Sequence, residues 1–148
     1  MKRFKFNLES VLKYRESVER YERGILSGLN AQLVLFLDEL ARLQSDYMAE
    51  SAEFEKMSKN GMTVAQIISK HAILENIELF IEKKLEEIEE HRKLITKQTN
   101  VVVKAKRDTK TMDKLKEAKY GEYVKSENKA TELFIEEFVA HRALVKNQ

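Results

Sequence analysis

Apolar residues recur along this chain in two long runs whose spacings alternate between three and four. The first run is Leu26, Leu29, Leu33, Phe36, Leu40, Leu43, Tyr47, Phe54 and Met57, with Glu50 as its polar member. The second is Ile67, His71, Leu74, Ile81, Leu85, Ile88, Ile95 and Val102, with Glu78, Arg92 and Thr99 as polar members. This alternation is the heptad seam of a coiled coil. Between the runs stands Ser58-Lys59-Asn60-Gly61-Met62-Thr63. Asn-Gly interrupts a helix because both residues tolerate positive φ. Thr63 and, three residues on, Gln66 form the capping-box pattern that opens a helix. A short turn between two amphipathic helices makes them antiparallel neighbours. The pattern predicts an all-α fold, an antiparallel two-helix coiled-coil hairpin with unequal arms, as one domain over residues 1–148. Helix 1 is expected at about 8–57, the turn at 58–63 and helix 2 at about 64–146, with Gly121 a candidate break.

The ends of the hairpin depart from the regular seam. Asn7 reads as the N-cap of helix 1, with Glu9 in the first turn and Phe6 placed to staple the chain entry. Continued backwards, the seam passes through Glu22, Glu19, Arg15, Leu12 and Leu8, beside a stripe of Val11, Val18 and Ile25 toward which the contact face is expected to drift. With the turn at Gly61, residue i faces roughly residue 122 − i. The polar positions of helix 1 then meet the polar stretch from Val103 to Arg107, and 118–148 are left without a partner from helix 1. Yet this segment contains Leu133-Phe134-Ile135-Glu136-Glu137-Phe138-Val139-Ala140-His141-Arg142-Ala143-Leu144-Val145, apolar around most of the helix. An unpaired helix is polar all round unless it binds something. Folding back or self-association is the alternative. A second candidate surface, Ile73, Ile77 and Phe80, lies partly off the seam near the turn; it either meets a partner or widens the core.

Composition sharpens this picture. There is no proline, glycine occurs four times, and charged residues make up 35% of the chain, which suits a thin helical structure with much surface. The net charge of +2 excludes strong sequence-independent attraction to nucleic acid as the default reading. Absence of cysteine removes disulfides and thiolate metal sites and fits a reducing compartment. The longest apolar run is expected to be too short for a bilayer, and the basic start Met1-Lys2-Arg3-Phe4-Lys5-Phe6 lacks the apolar segment of a signal peptide.

Candidate chemistry is sparse. No glycine-rich phosphate loop is present, and His71, His91 and His141 stand apart without metal-ligand spacing. Glu137 and His141 read as a surface i, i+4 contact. Glu86, Glu87, Glu89 and Glu90 read as a solvated flank rather than a metal patch. No catalytic residue, metal site or cofactor is therefore expected. Lys104 to Lys119 holds seven basic residues and three acids. An acidic protein partner or a solvated face explains this stripe better than RNA or phospholipid, because no aromatic residue interleaves with it before Tyr120 and Tyr123.

The opening Phe4-x-Phe6-x-Leu8-x-x-Val11-Leu12-x-Tyr14-Arg15 resembles the start of the FliJ proteins of flagellar type III export. Ile68 to Ile81 resembles the opening of their second helix. Glu127-Asn128-Lys129-Ala130-x-Glu132-Leu133-x-Ile135-Glu136-Glu137, followed by Arg142, resembles their closing segment, with Glu136-Glu137 where Asp-Glu is usual. The resemblance implies a coiled-coil stalk, similar to that of rotary ATPases, that binds the hexameric export ATPase through the end carrying its termini. It also implies contact with the transmembrane export-gate protein and with export chaperones, a place in motility and chemotaxis, and a cytoplasmic location peripheral to the inner face of the cell membrane. On this reading Phe4, Phe6, Phe134, Phe138 and Val145 meet the ATPase, and Ile73, Ile77 and Phe80 meet the gate. The rival readings are a generic coiled-coil adaptor, the stalk protein of a virulence secretion system, and a helical nucleic-acid binder.

Overall fold

The structure is a computed structural model that describes residues 3–146, with side chains for 3–145. Met1 and Lys2 of the basic start, and Asn147 and Gln148 at the end of the expected single domain, lie outside the described residues. Two helices account for nearly all of the rest: α1 (Glu9–Asn60) and α2 (Val64–Lys146). They pack antiparallel against each other as a helical hairpin, and no strand occurs among the described residues. Contacts divide the chain into two units, Tyr21–Val102 and a second made of Met1–Arg20 with Val103–Gln148.

The Tyr21–Val102 unit contains the turn. α1 runs to Asn60, three residues further than the pattern predicts, because Asn60 itself stays out of the positive-φ region. Gly61 alone takes the left-handed conformation, at φ 91°. A side chain there would strain the backbone, since the Cβ of an L-residue disfavours that region. Thr63 then caps α2 reciprocally with Gln66. The Gln66 amide donates to Thr63 Oγ1 at 3.2 Å, and the Thr63 amide donates to Gln66 Oε1 at 3.0 Å. These bonds satisfy two backbone donors that a helix start leaves open.

On α1 the half-buried positions from Leu26 to Met57 follow the predicted seam, including Glu50. On α2 the seam differs at every second position. Leu74, Ile81, Ile88, Ile95 and Val102 face α1 as expected. The intervening positions are Lys70, Ile77, Lys84, His91 and Gln98 instead of His71, Glu78, Leu85, Arg92 and Thr99, and Leu85 is left 48% exposed. Each polar seam residue has a partner that explains its place. Lys70 reaches Glu50 and Glu53, both at 3.1 Å. Lys84 pairs with Glu39 and Glu87, and its Nζ lies 4.8 Å from the centroid of the Phe36 ring. His91 places Nε2 2.7 Å from the Leu29 carbonyl, and its ring meets Phe36 edge-on. Gln98 donates to both the backbone and the carboxylate of Glu22. The lysine stems cover apolar surface while their ammonium groups stay with the carboxylates, so a lysine fills a seam position that a leucine was expected to hold.

α1 also contains a window long and apolar enough, by length and composition, to cross a membrane, contrary to the expectation for any apolar run of this chain. Its apolar character has a structural use in the hairpin, where Leu26, Leu29, Leu33, Phe36 and Leu40 line the seam against α2.

In the second unit, α1 starts one residue later than predicted. The Leu8 carbonyl accepts the Leu12 amide at 2.9 Å, so Leu8 rather than Asn7 occupies the cap, and the Glu9 amide is held by the Phe6 carbonyl at 3.1 Å. Leu12, Ala105 and Thr109 are buried, while Val11 stays 37% exposed. Of the neighbouring stripe Val18 is half-buried while Val11 and Ile25 stay exposed, so the contact face reaches toward it at Val18 only. Arg15 pairs with Asp108 at 3.3 Å and Glu9 with Lys116 at 2.8 Å, close to the 122 − i register. α2 passes through Gly121 without interruption. No neighbouring group would meet a Cβ there, so the glycine marks no close approach.

Two outcomes test this account. Thr63→Ala removes half of the capping box and is expected to lower stability by about 1 kcal/mol in urea denaturation. Lys70 and Lys84 have raised pKa values, the first chiefly through its hydrogen bonds to Glu53 and Glu50, the second through those to Glu39 and Glu87. The folded state thus holds these protons more tightly than the unfolded chain. Their contribution is fully present below the ordinary lysine value of 10.5 and is lost as pH rises through the folded value. The phenol of Tyr47, raised by its hydrogen bond to Glu78, acts in the same direction. Thermal melts of the Lys70→Met, Lys84→Met double variant should show a shallower loss of stability above this pH than the parent.

Candidate functional site: exposed apolar surfaces

The first candidate surface belongs to the unit that holds both ends of the chain. Residues 3–6 carry no regular secondary structure and 7–8 form a turn into α1, and Phe4 and Phe6, alternating with charged and polar neighbours, are the half-buried positions of this segment. The Phe4 ring packs edge-on against Tyr120 at a centroid distance of 5.2 Å and lies tilted against Tyr123 at 5.6 Å. Tyr120 and Tyr123 are 6.2 Å apart. Phe4 and Phe6 are both half-buried. With Leu8, Leu115, Tyr123 and Ser126 they line an open groove of about 710 Å³. As expected, no residue of α1 is recorded in contact with α2 beyond 118 among the described residues, but the segment before α1 supplies a partner there. The N-terminal segment packs on Tyr120 and Tyr123 and lines a groove with α2 as far as Ser126, a pairing that a helix-against-helix register does not represent.

Beyond this segment the helix is bare. Every residue from 128 to 145 is exposed. Phe134 is 69% exposed, Phe138 59% and Val145 63%, and Leu133, Ile135, Val139 and Leu144 are exposed as well. Phe134, Phe138, His141 and Val145 share one face, since offsets of four, seven and eleven return to the same side of a helix. Of the five residues grouped in the sequence, Phe134, Phe138 and Val145 therefore form one exposed stripe, whereas Phe4 is engaged with the tyrosines and Phe6 lines the groove beside them. Tyr120 and Tyr123 were missed as their partners; the signal was the pair of aromatics at i, i+3 near the position facing Phe4.

The second candidate surface lies in the unit with the turn. Ile73 is 39% exposed and Phe80 is 56% exposed, while Ile77 is half-buried in the seam. The structure thus keeps Ile73 and Phe80 outside and assigns Ile77 to packing. Val64, Ile68 and Leu79 add exposed apolar area on α2 between the turn and Phe80. His71 lies off the seam, with its ring 5.6 Å from that of Phe54. No group of three or more His, Cys, Asp or Glu among the described residues is arranged to hold a metal ion.

A half-buried seam, an N-terminal segment packed on two tyrosines and a bare apolar helix define an antiparallel coiled-coil protein with an unpaired helical extension. The family model described as "Flagellar FliJ protein" matches residues 4–148. The chain belongs to the FliJ family and is a flagellar export-related protein. Neither curated proteins nor solved structures provide a match.

The aromatic clamp generates its own test. Phe4→Ala removes an edge-to-face pair that contributes about 0.5–1.5 kcal/mol beyond area burial. Amide exchange is expected to accelerate around Tyr120 and Tyr123 and to stay unchanged between Leu26 and Met57.

Proposed function

We propose that this protein is a stalk that binds the hexameric flagellar export ATPase and links it to the transmembrane export gate, without catalysing a reaction itself. The observation that carries this reading is the bare helix from 128 to 145, whose large apolar residues stand in solvent with no covering element among the described residues. Contiguous exposed apolar area of this kind marks an interaction site. Phe134, Phe138 and Val145 supply aromatic and aliphatic anchors on one face, the residue types that dominate binding energy when seated in a pocket. Phe4 and Phe6 contribute to the same unit by holding the N-terminal segment against α2, and present the groove beside Tyr123 to the ATPase.

Ile73 and Phe80, with Ile77 behind them, are the surface for the gate protein. The FliJ family membership supports an export role, and the absence of a catalytic constellation in the sequence supports binding rather than chemistry. Such a protein acts by binding one state of the ATPase ring more tightly than another, since a ligand shifts an equilibrium only through differential affinity. Export chaperones are further partners, and the protein resides in the cytoplasm, held peripherally at the inner face of the cell membrane through its partners.

Mixing the purified protein with the export ATPase is expected to promote hexamer formation and raise hydrolysis. The Phe134→Asp, Phe138→Asp double variant should abolish both effects while its far-ultraviolet circular dichroism stays helical. Unchanged assembly and hydrolysis with the parent protein would refute the proposal.

A further inference from the structure

The basic stretch of α2 has a structural property that its net composition hides. Lys116 is paired with Glu9, Lys119 with Glu122, and Asp108 is taken by Arg15. Lys104, Arg107, Lys110 and Lys114 are exposed and make no ion pair among the described residues. Their spacings of three, three and four keep them on one side of α2, opposite the seam residues Ala105, Thr109 and Met112. The four cations thus form an unneutralised row about 15 Å long at 1.5 Å per residue. Asp108, the acid within the row, is held by Arg15, and Asp113 and Glu117 make no ion pair with the four cations among the described residues. In the seam, by contrast, Lys70 and Lys84 are each held by two carboxylates.

We infer that this face of α2 lies on an anionic lipid bilayer, with the four cations facing the phosphate groups. Charge complementarity selects a polyanionic partner, and the chemistry of the face selects among polyanions. The sequence alone favours an acidic protein partner or a solvated face, but the binding energy of protein interfaces concentrates in large side chains seated in desolvated pockets near the centre. Here the intervening side chains are small or polar, Val103 and Thr111 among them, and no aromatic lies between the cations. Single-stranded nucleic acid is held by stacking on aromatic rings. The aromatics that follow in sequence, Tyr120 and Tyr123, are engaged with Phe4. A bilayer surface demands neither anchor nor stacking; it rewards a row of cations on one side of a stiff helix. Each Lys or Arg brought near such a surface strengthens binding roughly fivefold, so four together contribute several hundredfold. That is weak alone and suited to orienting a protein that other contacts also hold.

The test is co-sedimentation of the full chain with vesicles of phosphatidylcholine alone or mixed with phosphatidylglycerol. Binding is expected to the mixed vesicles and not to phosphatidylcholine, and to disappear at about 1 M salt, where the Debye length falls to about 3 Å. The quadruple variant Lys104→Gln, Arg107→Gln, Lys110→Gln, Lys114→Gln should lose binding by at least a hundredfold with unchanged helicity. Phe134→Asp, Phe138→Asp should retain it, which separates this surface from the proposed ATPase contact. Equal binding by the quadruple variant, binding to uncharged vesicles, or tighter four-cation-dependent binding to single-stranded RNA would each overturn the assignment.

Discussion

Two helices packed together can bury one stripe each, and this constraint governs the whole protein. Among the described residues few side chains are truly buried, led by Leu12 and Ile88. The remaining seam residues are covered by one neighbour helix and by each other's stems. With so little interior, stability is spread along the contact and depends on each seam position finding a complement. That is why lysine, histidine and glutamine can sit in the α2 seam. Their apolar portions pack, and a carboxylate or a carbonyl on α1 meets the polar end. Alternating aliphatic and matched polar layers also fix which residue faces which, since a shift along the seam would leave the Lys70 and Lys84 ammonium groups without Glu50 and Glu39.

The same constraint makes the surface informative. A hairpin has no interior in which to hide surplus apolar residues, so those that face outward are either incidental or used. In the unit holding the chain ends, the N-terminal segment solves part of the problem by laying Phe4 over Tyr120 and Tyr123. It stops at Ser126, and the apolar density of α2 rises just beyond that point. Covered helix and bare helix are adjacent on one element, which fits a surface kept open for another protein. The family assignment gives that surface a flagellar export context.

Much of this was legible in the sequence. The heptad spacing of α1, the turn at Gly61 and the Thr63–Gln66 capping box are local, and each is set by residues a few positions apart. The apolar run from Leu133 to Val145 was equally plain, because nothing in α1 is long enough to pair with it. The α2 seam was half legible. Leu74, Ile81, Ile88, Ile95 and Val102 were fixed by spacing, but the positions between them offered two flanks of similar hydrophobicity. Hydropathy favoured Leu85 over Lys84, whereas the structure takes Lys84 because Glu39 and the Phe36 ring lie across from it.

By itself the sequence determined the elements, their antiparallel order and the segment left without a helical partner, since these follow from periodicity and from one positive-φ glycine. Tertiary structure decided which flank of α2 turns inward, the cover that Phe4 gives to Tyr120 and Tyr123, and which cations remain unpaired. Those depend on pairings between residues some twenty to more than a hundred positions apart, such as Lys70 with Glu50 and Lys116 with Glu9. Spacing along one helix records the stripe that helix offers; the partner it meets is settled when the second helix brings its charges and rings into reach.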